Sequence, residues 1–176
     1  FSQAERWELV GGFSPTRSKA QAVCDRYRMQ AFARLDELAQ QCDALFVHSS
    51  TNTHFEVVRD LLQRGKHVYV DKPLAETIAQ AEQLIALAEQ QNCRLMVGFN
   101  RRFAPRYMQI KQQAHNVASI RMDKHRHQNI GPKDVRFTLL DDYLHVIDTA
   151  LWMSGRDLKL KSGILHTNDV GQMIYA

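Results

Sequence analysis

The sequence predicts a chain in two parts: an α/β domain on a parallel sheet, followed by the start of an α+β domain with an open, mostly antiparallel sheet. Two observations carry this. Over the first two-thirds, short apolar runs alternate with helical patterns across short links, the rhythm of βαβ units. After about residue 104 that rhythm stops and alternating, strand-like stretches replace it, so the expected domains are 1–104 and 105–176. Composition agrees: of 176 residues, 44 % are apolar and 24 % charged, an ordinary balance for a chain that folds around a core.

Taken in order, residues 7–14 (WELVGGFS) read as a strand that turns at Pro15. A helix over 18–28 places Ala20, Val23 and Cys24 at helical spacing, and 35–41 is a short helix. The nearly continuous apolar start of 44–50 predicts a strand buried on both faces. A helix over 53–64 carries Val57, Leu61 and Leu62 and closes at Gly65. Residues 67–70 form a strand stopped by Pro73. The helix over 77–91 sets Ala81, Leu84, Ile85 and Ala88 on one face, and 94–99 is a further strand. Beyond the boundary come a helix (106–113), an alternating strand (117–127), a helix from about 141 to 153, and short strands near 158–166 and 172–175.

Several classes are disfavoured. The formal charge of +4, from 23 Lys and Arg against 19 Asp and Glu, is too small to imply nucleic acid. The basic run 121–127 alternates as a strand, carries Asp123, and lacks any zinc-finger spacing; His125 and His127 share a face without a third ligand, so no metal is expected. Cys24, Cys42 and Cys93 are an odd number without a CxxC, which reads as reduced thiols in a cytoplasmic protein. No apolar run is long enough to span a membrane, and no leader is visible.

Five constellations could carry chemistry. Asp71-Lys72-Pro73-Leu74 follows the strand 67–70, and ligands of parallel sheets bind outside strand carboxyl ends. A lysine in a partly buried cleft there trades protons with a hydroxyl, although a solvated loop lysine has the same local sequence. Asp141, His145 and Asp148 share one helix face with Trp152, beside an apolar stripe of Leu140, Leu144, Ile147 and Leu151 expected to pack on the domain. His145 is the proton carrier of that face, and Asp141 or Asp148 would orient it; acidic residues opening a helix, with a solvated histidine, are the competing reading. Asn100 and Arg102 follow the strand 94–99, where they also suit a domain junction. Ser14, Thr16 and Arg17 stand after the first strand, where dinucleotide folds place an acid for the ribose of NAD or an arginine for the 2′-phosphate of NADP; an ordinary turn and helix cap is the rival. The fifth is the basic run already set aside. The eight glycines form no GxGxxG, so the chain is read as a segment that lacks a first, central strand and its Gly-rich turn, which would leave the sheet split.

Together these residues resemble the Gfo/Idh/MocA family of nicotinamide-dependent oxidoreductases. Ser49-Ser50-Thr-Asn-Thr-His54, then Gly65-Lys66-His67-Val68, then Asp71-Lys72-Pro73-Leu74 are similar to that family's run T-P-x-x-x-H…GKHVxxEKP. Asn100-Arg101-Arg102-Phe103 matches N-R-R-F/Y, and Asp141…His145…Asp148 matches D-x3-H-x2-D. The runs Met122-Asp-Lys-His125 and Leu139-Leu-Asp-Asp-Tyr-Leu-His145 are closest to its YceM-like branch. The departures are Asp71 for Glu, Ser50 for Pro, and the loss of a Gly-Gly around 138–140.

The resemblance implies a Rossmann-type domain followed by an open-sheet substrate and oligomerisation domain. It gives Lys72, His145 and Asp141 catalytic roles. Ser14, Thr16, Arg17, Ser49, Ser50, His54, Asp71, Lys72, Asn100 and Arg102 are then expected to hold NADP or NAD, with NADP favoured. The expected reaction moves a hydride between nicotinamide and a hydroxyl-bearing carbon of a sugar or polyol-like small molecule, in a homo-oligomer, with Lys72 and His145 meeting across the cleft between the domains. Two rivals remain: a cofactor-binding sensor or regulator without turnover, and redox-assisted glycoside cleavage in which the nicotinamide is oxidised and re-reduced each cycle. Bound cofactor without turnover marks the first, and a cleaved glycoside without net NADH marks the second.

Overall fold

The computed structural model describes residues 6–115, 117–125, 133–155, 159 and 161–176. They form two compact units, Phe1–Val97 and Gly98–Ala176.

The first unit alternates strand and helix: β1 (Gly11–Gly12), α1 (Arg17–Tyr27), β2 (Gln30–Ala31), α2 (Leu35–Gln41), β3 (Ala44–Val47), α3 (Thr51–Gln63), β4 (His67–Val70), α4 (Ile78–Gln90) and β5 (Leu95–Val97). All its strand pairings are parallel, but they form two separate sheets, β1-β2 and β3-β4-β5. The strand expected over 7–14 is only Gly11–Gly12, and it does not join β3–β5. Its partner β2 has no counterpart among the expected elements. The pairing depends on close approach: a Cβ on Gly11 would stand 2.3 Å from the Gln30 carbonyl oxygen.

The core lies on one face of β3–β5. Leu45, Val47, Val68 and Val70 point into it and meet Val58, Leu61 and Leu62 of α3 and Leu84 and Ala88 of α4. Gly65, at φ +71°, ends α3 in the left-handed conformation that favours glycine. Burial of β3 on both faces is not observed. Phe46 points to the opposite face, 40 % exposed, where Trp7 stacks on it at 5.4 Å and Tyr69 and His48 lie beside it. Ile85 likewise turns away from the buried face of α4.

The second unit contains a 3₁₀ turn (Asn100–Phe103), α5 (Pro105–Gln113), and a continuous helical stretch of α6 (Val135–Thr138), a π-helical turn (Leu139–Tyr143) and α7 (Leu144–Ser154). A small antiparallel sheet pairs β6 (His166–Thr167) with β7 (Met173–Tyr175). The helix expected from 141 starts earlier because the Asp134 carboxylate accepts the Phe137 N–H at 2.7 Å and caps the chain there. The strand expected over 117–127 is not formed by residues 117–125, which pair with no strand among the described residues; the remainder lies outside them. Alternating polarity cannot make a strand without a neighbour to satisfy its backbone. Of the expected 158–166 strand, only His166 is in a strand among the described residues, the pairing moving on to Thr167.

The expected apolar stripe of the 141–153 helix also differs. Ile147 and Leu151 are 51 % and 40 % exposed, while Thr138, Asp142, Asp148, Thr149 and Met153 are buried. The π-helical turn changes the angular step between residues, so faces drawn for a uniform helix do not carry across it.

Candidate functional site

In the first unit the candidate residues gather at the carboxyl ends of the parallel strands. Lys72 follows β4, and its backbone N–H donates to Asp71 Oδ1 at 2.9 Å. The Asp71 N–H donates to the Val47 carbonyl at 3.0 Å, tying the loop to the end of β3. Lys72 is partly buried, and the Lys72–Pro73 peptide bond is cis. The chain leaves β5, which runs parallel to β4, at the same edge of the sheet; Asn100, which follows, belongs to the second unit.

Ser49 and Ser50 form the turn from β3 into α3. Ser50 is the N-cap residue, and its carbonyl accepts the Thr53 N–H at 2.8 Å. The Thr53 hydroxyl lies 2.8 Å from Ser49 Oγ and donates to the Ser50 carbonyl at 2.7 Å. His54 is not presented at this edge. It is 1 % exposed, with Nδ1 2.7 Å from the Pro73 carbonyl oxygen and Nε2 3.0 Å from that of Ser49.

Ser14, Thr16 and Arg17 link β1 to α1. Ser14 Oγ accepts the Thr16 N–H at 3.3 Å, and Arg17 is the first, exposed residue of the helix. Thr16 makes no side-chain cap and the first turn carries no acid, so its N–H groups keep the positive end of the helix dipole uncompensated there.

His48 was not singled out in the sequence. The β3–β4 register sets Val47 beside Val70, and His48 accordingly comes beside Asp71, its Nδ1 3.9 Å from Asp71 Oδ2 with both side chains about half exposed. Strand alternation was the available signal: Phe46 and His48 share a face with Tyr69 and Asp71. Burial, and then the Asp71 charge, raise the Tyr69 phenol above its ordinary pKa.

In the second unit two buried carboxylates are each met by a more exposed cation. Arg102 forks onto Asp148, with Nε 2.9 Å from Oδ2 and a second bond from Nη2 to Oδ1. That hydrogen-bonded carboxylate raises the Arg102 pKa. Lys124 Nζ lies 2.6 Å from Oδ1 of buried Asp142. Asp148 is therefore engaged by arginine rather than held to orient His145. Asp141 sits in the π-helical turn and His145 opens α7, both partly buried. The Lys111 ammonium donates to the Met153 carbonyl at 3.1 Å and joins α5 to α7. Among the described residues no group of three or more His, Cys, Asp or Glu could hold a metal ion, and no helix is long and apolar enough to cross a membrane.

Comparison with known proteins places this geometry. Residues 1–99 match the family described as "Oxidoreductase family, NAD-binding Rossmann fold", and residues 105–176 match "YceM-like, C-terminal domain". The YceM protein of Salmonella typhimurium is 55 % identical over 170 residues, which are 97 % of this chain and 55 % of that one. A UDP-N-acetylglucosamine 3-dehydrogenase of Acidithiobacillus ferrooxidans is 26 % identical over 85 % of this chain and 48 % of its own. The crystal structure of a dehydrogenase (MviM) from Clostridium difficile superposes with a TM-score of 0.92 at 45 % identity, covering 98 % of this chain and 57 % of that one. The chain thus spans about half the length of the relatives it matches.

Proposed function

We propose, from the premise that this chain belongs to the Gfo/Idh/MocA oxidoreductase family, that it serves an NAD(P)-dependent oxidoreductase of sugar or polyol-like substrates. The observation that carries the reading is the placement of Lys72: partly buried, at the carboxyl end of a parallel strand, in a loop whose backbone is fixed by Asp71. The sugar-nucleotide dehydrogenase among the relatives supports the substrate class. In this reading residues 1–104 bind the dinucleotide, and 105–176 begin a substrate and oligomerisation domain of a homo-oligomer.

The bound nicotinamide supplies the hydride acceptor. Oxidation of a hydroxyl-bearing carbon also releases the hydroxyl proton, which needs a base. Lys72 takes it through its amine, with His145 as the second proton carrier and Asp141 holding a substrate hydroxyl or the imidazole. Ser49, Ser50, Asp71, Asn100 and Arg102 hold the cofactor, Arg102 by an edge of the guanidinium that is also committed to Asp148.

Fit to the cofactor is tested at the start of α1. A first turn without acids, with Ser14, Thr16 and Arg17 beside it, suits an additional phosphate, so NADP is preferred to NAD. Arg17→Gln removes the charge and keeps a polar side chain. Isothermal titration of the intact protein should then show NADPH weakened by about 1.5–3 kcal/mol, the worth of a charged hydrogen bond, with NADH nearly unchanged. Equal losses for both cofactors would remove Arg17 from phosphate recognition. The reaction itself is tested by following reduced nicotinamide over a panel of sugars, sugar nucleotides and polyols. Cofactor binding without turnover on any member would turn the reading toward a sensor.

A further inference from the structure

His54 opens a question the reaction scheme does not answer. It lies in the first turns of α3, almost wholly buried, yet both ring nitrogens face backbone carbonyl oxygens: Pro73 at 2.7 Å and Ser49 at 3.0 Å. A carbonyl oxygen only accepts, so the ring must donate. Of the two contacts the one to Pro73 is the shorter, which favours the tautomer with its proton on Nδ1. In that tautomer Nε2 carries no proton, and its approach to the Ser49 carbonyl is a contact rather than a hydrogen bond. A side chain that merely filled this space would need neither, and a leucine would fill it without burying polar atoms.

The two carbonyls belong to different segments. Ser49 ends the turn after β3, and Pro73 is bonded directly to Lys72. On the other side of the same loop, Asp71 accepts the Lys72 N–H at 2.9 Å while its own N–H donates to Val47 at 3.0 Å. The backbone of Lys72 is thus held between Asp71 before it and the His54 ring after it. Two links attach this loop to the segment running from β3 into α3: the Asp71 N–H to the Val47 carbonyl, and the His54 ring to the Pro73 carbonyl.

We propose that His54 is a positioning residue for Lys72: its Nδ1–H holds the Lys72–Pro73 backbone against the β3–α3 turn and so sets where the lysine amine stands. The proposal rests on the reading of Lys72 as the proton-transfer group. It moves His54 from the set of residues that touch cofactor to the layer that supports them.

The test uses the intact protein and two variants that divide the ring between them. The amide nitrogen of His54→Asn reaches the place of Nδ1, and that of His54→Gln reaches the place of Nε2. With its best substrate, His54→Gln should lose about two- to tenfold in kcat, the scale of one net hydrogen bond, while His54→Asn keeps most of it and NAD(P)H affinity stays close to wild type in both. Nitrogen-15 NMR of histidine-labelled wild-type protein, with the His54 signals assigned by their absence in either variant, should show Nδ1 protonated. A bare Nδ1 overturns the proposal whatever the kinetics. Equal losses in the two variants, tracking a common fall in thermal stability, also overturn it, because packing alone would then account for the residue. Lys72→Met measured beside them separates the two claims. Unchanged turnover in that variant removes the catalytic reading of Lys72, while the NMR result still decides whether His54 holds the loop.

Discussion

In the first unit the largest buried side chains are Leu61, Leu62, Leu84, Val58 and Val70, with His54 the polar one among them; in the second they include Thr138 and Thr149, and Asp142 and Asp148 are buried nearby. The first set packs one face of β3–β5 against α3 and α4, an apolar contact without direction. The second is oriented by charge, Asp148 by the Arg102 fork and Asp142 by Lys124. The difference bears on how each unit places its candidate residues. Lys72 stands at the rim of a packed sheet, and its precision comes from backbone hydrogen bonds around its loop. Asp141 and His145 stand on a helical stretch held by ion pairs, so their precision depends on partners being present and charged.

Substitutions can break or sharpen that contrast. The largest effect is expected at Leu61, wholly buried in the first core. Leu61→Ala should cost about 2–5 kcal/mol in urea unfolding of the intact protein, through lost transfer energy and the cavity left behind. Asp148→Ala should follow at about 1.5–3 kcal/mol, the worth of hydrogen bonds to a charged group, because Arg102 is exposed enough for water to replace part of the loss. Ile147→Ser, one residue away, should stay within about 0.5 kcal/mol, since Ile147 already faces outward in this structure. A larger loss at Ile147 than at Asp148 would show that the helix is held by its apolar stripe after all.

Much of the first unit was legible because its signals are local. The 35–41 helix and the 67–70 strand appear with the expected bounds, and α3 ends where Gly65 reaches positive φ. The positions of Lys72 and Asn100 after strand ends follow from the same alternation. What the sequence concealed depends on partners distant along the chain. β2 is two residues of mixed polarity, recognisable only through the close approach that Gly11 permits. Residues 117–125 alternate well and still pair with nothing among the described residues. The Arg102–Asp148 pair joins residues 46 apart, and His54 reaches Pro73 across 19, distances over which motif spacing carries no geometry. His48 was within reach through strand register, had β3 been followed one residue beyond its apolar run.

The central claim is that Lys72 moves the proton that accompanies hydride transfer. Steady-state kinetics of Lys72→Met, in the intact protein on whichever sugar or polyol it oxidises, tests this most directly. Methionine keeps the length of the stem and removes the amine. The account predicts a fall in kcat of about 10²–10⁴-fold, or about 2.7–5.5 kcal/mol of barrier, with cofactor affinity nearly unchanged. Wild-type kcat in that variant would contradict it.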